Sequence, residues 1–298
     1  FTLNGGDATL NGAVGGNAPL NTVFDTTSSG TININGGEVT TTSSQTYDTA
    51  VVLGADTNLT STGAGIVFNN TLDGGFALTI SSGGTANLAF NDLVGVGTAL
   101  TSLDASANGN TINITIANAP NDAIRTTGAQ TYNDTVSFIA GPTTTLTGTD
   151  LTFEDNLITE AVILNDDGTT TFNGDITSTG PRGLTTDAAG TTDINTATFN
   201  INGDIIINDP LTLSADTTIT RNGGGALTLA NTVNGAQALI LNNTGTTTLG
   251  GAVGGGTALT SLTTNAGGTT AIDGGAVTTT AAQTYNDAVT LGADATLI

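Results

Sequence analysis

The chain repeats itself along its whole length, and that constrains its fold more than any other property. The string VTTTSSQTYDTAVVLGADTNLT, starting at Val39, returns as VTTTAAQTYNDAVTLGADATLI, starting at Val277. A weaker copy, RTTGAQTYNDTVSF, starts at Arg125, and a degenerate one, DIIINDPLTLSADTTIT, at Asp204. Anchored on Gln45, Gln130, Ile205 and Gln283, the copies step by 85, 75 and 78 residues. A fixed period of this kind marks an array of stacked units, in which each unit buries its apolar face against its neighbours.

Smaller steps subdivide each unit. In the last one, apolar segments centre on Leu229, Leu249, Ile272 and Leu291, at steps of 20, 23 and 19, and a second series runs from Leu241 to Leu262, a step of 21. The segments are short and alternating, as in Ala226-Leu227-Thr228-Leu229 and Thr269-Thr270-Ala271-Ile272. Alternation places apolar residues on one side and Thr on the other, the pattern of a half-buried strand. Branching at Cβ suits Val and Thr to that setting. Between segments lie turn dipeptides such as Asn35-Gly36, Asp73-Gly74, Asn173-Gly174, Asn202-Gly203, Asn234-Gly235 and Asp273-Gly274, expected to supply positive φ at tight corners.

Short strands, glycine corners and a coil of about 20 residues predict an all-β fold, a parallel β-helix or β-solenoid. One continuous solenoid is expected over 1–298, with a partial unit at 1–60 and units at 61–147, 148–220 and 221–298. At about 4.8 Å per coil, some 15 coils make a rod of about 70 Å, with a unit of about four coils. A tandem of immunoglobulin-like sandwiches would also use Thr, Gly and short strands, but needs a bulkier core than nine Phe, three Tyr and no Trp provide.

Composition removes several functions. Lys, His, Cys, Met and Trp are absent; Arg125, Arg182 and Arg221 stand against 25 acidic residues, for a net charge of −22. Phosphate backbones and anionic membranes both need clustered cations, so neither nucleic acid nor a membrane surface is an expected partner. Without His or Cys, the usual nucleophile–base pairs and transition-metal clusters cannot be built. A carboxylate-only site remains, because paired acids suffice for glycoside hydrolysis. Its candidates are Asp166 with Asp167, or Glu154 and Asp155 with Glu160; the plainer expectation is solvated loop carboxylates, with no catalytic, cofactor-binding or metal site.

Calcium is the one ion the residues could hold. Asp48, Asp134, Asp209 and Asp287 recur at one position class and Asp56, Asp216 and Asp294 at another. Carboxylates with corner carbonyls are suitable hard ligands. Equivalent carboxylates a whole unit apart cannot share an ion, however, and Asx turns at corners are the expected role, with no cofactor. Tyr47, Tyr132 and Tyr285 are expected as corner residues packing over the coil rather than as glycan-stacking platforms, since the degenerate copy has Ile207 there. Thr is spread over all faces, unlike the flat Thr ranks of an ice-binding surface.

The residues Thr126-Thr127-Gly128-Ala129-Gln130-Thr131-Tyr132-Asn133-Asp134, Thr98-Ala99-Leu100-Thr101-Ser102-Leu103 and Thr257-Ala258-Leu259-Thr260-Ser261-Leu262 carry a family likeness. Over essentially its entire length the chain resembles the repeats of very large secreted bacterial proteins of the filamentous-haemagglutinin and autotransporter-adhesin kind. That resemblance implies a right-handed parallel β-helix, export across the outer membrane and an extracellular, cell-surface location. It also implies a role in attachment or matrix formation. The expected function is the non-catalytic shaft of an adhesin or surface filament, a piece of a longer array or a head-to-tail subunit whose partners are itself and possible host or environmental glycans. A carbohydrate-active or carbohydrate-binding β-helix is the alternative.

Overall fold

The computed structural model is all-β: parallel strands coil into a β-solenoid of about 13 turns at about 21-residue spacing, against the 15 expected. It describes residues 2–3, 5–21, 24–26, 30–116, 122–139, 143–178 and 180–298. Two compact units are formed, Phe1–Asp155 and Asn156–Ile298, and their boundary falls inside the third sequence repeat.

The first unit has three faces. Face A carries Phe24–Thr26, Gln45–Tyr47, Ile66–Phe68, Leu88–Phe90, Ile112–Ile114 and Val136–Phe138. Face B carries Ala8–Leu10, Ile32–Ile34, Val51–Leu53 and Leu72–Asp73, and continues through a single bridging residue, Val94, to Ile124–Arg125 and Thr144–Gly148. Face C carries Glu38–Thr41, Thr57–Ser61, Ala77–Ser82, Ser102–Ser106, Gln130–Tyr132 and Leu151–Phe153.

The second unit repeats the plan with its own faces, named D, E and F in chain order. Face D includes Thr198–Ile201, Thr217–Arg221, Ala238–Asn243, Ser261–Thr264 and Gln283–Tyr285. Face E includes Leu184–Thr186, Ile205–Ile207, Ala226–Leu229, Thr246–Leu249, Thr269–Ile272 and Ala288–Leu291. Face F includes Thr191–Ile194, Leu211–Leu213, Val233–Asn234, the bridging residue Val253 and Ala276–Val277.

Inward ladders form as the alternation predicts. Leu229, Leu249, Ile272 and Leu291 are register partners on face E, the same series that the sequence marked. The second series was misread by two residues, because Leu262 pairs with Leu239 and Leu241 with Thr264. In the first unit Tyr47, Phe68 and Phe90 occupy one inward column, their rings stacked with centroids 4.9 and 5.5 Å apart. Phe24 leans on Tyr47 at 5.4 Å.

The corners use glycine less uniformly than expected. Gly74 and Gly235 have the positive φ of the predicted Asp-Gly and Asn-Gly turns. At Asn35-Gly36-Gly37 and Asp273-Gly274-Gly275 it is the second glycine that turns left-handed, at φ +70° and +74°. Gly36 and Gly274 are needed for a different reason, since a Cβ there would strike the backbone of Gly12 or Gly251 on the adjacent coil.

Candidate functional site

The recurring motif lies inside the coil. In strand Gln45–Tyr47 both Gln45 and Tyr47 point inward and are fully buried, while Thr46 points out. A buried amide must find partners for its donors and acceptor, because an unpaired polar group costs about 1–3 kcal/mol. Gln45 Nε2 donates to Val39 O at 3.0 Å and to Thr60 O, on the next coil, at 2.8 Å. Tyr47 Oη donates to Gln45 Oε1 at 2.9 Å. Thr41, four residues before the glutamine, donates to Ser43 O and accepts from Gln45 at 3.3 Å.

The same clamp recurs in the other copies. Gln130 Nε2 donates to Thr126 Oγ1 at 3.2 Å and Thr147 O at 2.8 Å, and Tyr132 Oη to Gln130 Oε1 at 2.8 Å. Gln283 donates to Val277 O at 3.1 Å and Ile298 O at 2.7 Å and accepts from Tyr285 at 3.2 Å. Tyr47 and Tyr132 are therefore core residues of strands and Tyr285 a half-buried strand residue, correcting their expected place over the corners. Burial pushes the Tyr47, Tyr132 and Tyr285 phenols above their ordinary range. Ile207 also points inward and is fully buried, packing without the clamp.

A second brace follows the strand. Asp209 is 2% exposed and accepts Thr186 Oγ1 and Thr192 Oγ1, each at 2.9 Å. Asp287 accepts Thr264 Oγ1 at 2.8 Å and Thr270 Oγ1 at 2.9 Å. Asp134 accepts Ser106 Oγ and the Ala107 and Gly109 amides. Asp209 and Asp287 each tie together the two ends of a corner on the preceding coil, and Asp134 holds the first half of one. Desolvation by burial, the larger influence, raises the Asp209 pKa against the lowering effect of its threonine hydrogen bonds.

Asp48 does not belong to this class. It is exposed and accepts Asn69 Nδ2 at 2.6 Å, and Thr49 fills the inward place that Asp134 fills in the next copy. Asp56 and Asp216 accept the amides of Ala77 and Ala238 on the following coil, at 3.0 and 2.7 Å, bonds between coils rather than the local Asx turns expected; Asp294 is exposed. Among the described residues, no group of three or more His, Cys, Asp or Glu is arranged to hold a metal ion.

The acidic candidates differ in setting. Asp166 is buried and accepts Gly168 N at 2.9 Å and Thr170 Oγ1 at 3.0 Å, whereas its neighbour Asp167 is exposed. Glu154 and Asp155 are exposed, and Asp155 accepts Thr135 Oγ1 at 2.9 Å. Glu160 is half-buried. No helix among the described residues is long and apolar enough to cross a membrane.

The unit is close to the four coils expected but falls one strand segment short. From Gln45–Tyr47 to Gln130–Tyr132 the chain passes through eleven strand segments, counting the bridge at Val94, and the motif moves from face A to face C. From Ile205–Ile207 to Gln283–Tyr285 it again passes through eleven, counting Val253, and moves from face E to face D. Eleven segments on three faces are three and two-thirds coils, so within each unit the motif retreats by one face per repeat. Comparison with models of protein families, with curated proteins and with solved structures finds no match to the chain.

Proposed function

We propose that this chain is part of the shaft of an extracellular bacterial adhesin or cell-surface filament, with a structural and non-catalytic role. The observation that carries the reading is where the repetition is spent. Gln and the inward Asp of three copies are consumed by bonds between coils, and Tyr by its bond to the Gln of its own strand. The outward residue between Gln and Tyr is a plain Thr in all three copies, Thr46, Thr131 and Thr284, and because of the eleven-segment period equivalent outward positions in consecutive copies of one unit lie on different faces. Such a repeat propagates a scaffold; it does not lay out one recognition surface along one side. The likeness to secreted adhesin repeats adds the location.

Immunogold electron microscopy of the producing cells tests the proposal. Label on surface appendages or shed filaments is the expected result, and label confined to the cell interior defeats it. The enzyme alternative is tested with a panel of polysaccharides. No turnover is expected, and hydrolysis abolished by Asp166→Asn or Glu154→Gln would overturn the structural reading.

A further inference from the structure

A corner of the second unit forms a polar groove of about 220 Å³, bounded by Thr220, Arg221, Asn222, Asn242, Thr244 and Asn265. The register explains why these residues converge. Thr220 and Asn242 are outward partners on consecutive coils, and Asn265 follows Thr264, the partner of Leu241, so it continues their column. Consecutive coils set such side chains about 4.8 Å apart. Gly223 and Gly224, at φ +85° and +75°, turn the chain tightly beside it without adding a side chain.

Asn265 is engaged, accepting Asn243 N at 2.7 Å and donating to Ala266 O at 3.1 Å, but other hydrogen-bonding capacity in the groove is unspent. Asn242 makes one long bond, from Nδ2 to Thr220 Oγ1 at 3.4 Å, which leaves its carbonyl oxygen and second amide hydrogen for a ligand. Asn222 donates both amide hydrogens, to Asn200 and Asn202, which fixes it with its carbonyl oxygen still available. Thr244 adds an exposed hydroxyl. The one cation is already engaged: Arg221 pairs with Asp204 at 3.0 Å, donates to Asn222 O and is 12% exposed. The groove therefore offers neutral donors and acceptors in alternation, within a chain of net charge −22 that repels anions.

The geometry points to a binding site for the hydroxyl groups of a neutral sugar, one pyranose of a glycan. Amide and hydroxyl groups that both donate and accept match vicinal hydroxyls. Nucleotides and acidic sugars lack a free cation here, and apolar ligands lack a hydrophobic wall. No aromatic platform lines the groove, so a single sugar binds on the order of millimolar. The site does not depend on the shaft reading, and either can fail alone.

Saturation-transfer NMR on the full chain, with methyl glucoside, galactoside and mannoside and with methyl glucuronide, is the test. At least one neutral glycoside is expected to bind, with the glucuronide weaker. Asn242→Ala and Thr244→Val, both outward substitutions that circular dichroism should show folded, are each expected to weaken binding about fivefold. Asn58→Ala, an exposed strand asparagine of the first unit, should leave it unchanged. No transfer with any neutral sugar, binding indifferent to both groove variants, or preference for the glucuronide would overturn the assignment.

Discussion

A glutamine turned into an apolar interior is stable only while every neighbour of its amide stays in place, which makes the Gln–Tyr clamp the most sensitive polar feature of the chain. Tyr132→Phe removes the donor to Gln130 Oε1 and leaves that oxygen buried, at an expected loss of about 1–3 kcal/mol. Gln130→Ala also strands Tyr132 Oη and opens a cavity, and should lose more; urea unfolding of both variants against wild type measures the order. Asp209 gives the pH prediction. Its folded pKa is raised above 3.8, so the folded state binds the proton more tightly than the unfolded one. Its contribution is therefore fully present below about pH 3.8 and is lost as pH rises through the folded value. Unfolding of wild type and Asp209→Asn, compared at acid and neutral pH, should show the variant gaining on wild type as pH rises; a constant difference would refute the coupling. The motif was legible as recurrent, yet its direction was misjudged. The signal was available: Gln45 and Tyr47 are two apart, as inward residues of one strand must be. Hydrophobicity alone assigns a glutamine to the surface; the bonds that reverse that preference are partly local, from the Thr four residues before and the Tyr two after, and partly from a carbonyl on the neighbouring coil that leaves no mark in the local pattern.

Alternation fixed the strands well because each strand has one wet and one dry side. Leu259 is fully buried and Thr260 exposed, so Leu259→Asp should cost several kcal/mol by burying an unpaired carboxylate, whereas Thr260→Asp should stay within about 0.5 kcal/mol. Equal losses would mean that the register is wrong. The loops that replace a strand carry their own requirement. Gly15, Gly95 and Gly254 occupy the same place in three copies, each at φ of +70° to +77°, and a Cβ there would strike the carbonyl of Thr40, Arg125 or Thr278. Gly254→Ala should therefore destabilise by about 1–3 kcal/mol or more, whereas Gly255→Ala, free of positive φ, should be tolerated much better. Thermal melts separate the two. What alternation could not supply was the phase between repeat and coil. Dividing a period of 75–85 residues by a coil of about 20 gives about four coils, whereas the coil is about 21 residues and the period closes on eleven segments, one of them reduced to the single bridging residue Val94 or Val253.

Across the whole molecule the charge is arranged by the same geometry. Of the acidic residues, only Asp25, Glu38, Asp73, Asp104, Asp166 and Asp193 lie within strands, and the rest are at corners. Face E, for example, has no charged residue in any strand from Leu184–Thr186 to Ala288–Leu291; Thr, Ala and Ile make up its outward side. Neutral stretches of face such as this one are thus flanked by acidic corners, which form ridges along the coils. With a net charge of −22 on 298 residues and about 21 residues per coil, each coil carries about 1.5 negative charges. At about 4.8 Å per coil that is one charge per roughly 3 Å, well inside the Debye length of about 8 Å at physiological salt. Approaching ridges therefore repel before neutral faces can meet. Lateral association should be absent in dilute neutral buffer with chelator. It should appear in millimolar divalent cation, or near pH 4, where the carboxylates lose charge. Light scattering with electron microscopy across a salt, Ca²⁺ and pH series provides the measurement. Lateral bundles at low salt and neutral pH would show that face attraction outweighs ridge repulsion. No association under any condition would show that the neutral faces are not adhesive even when the ridges are discharged.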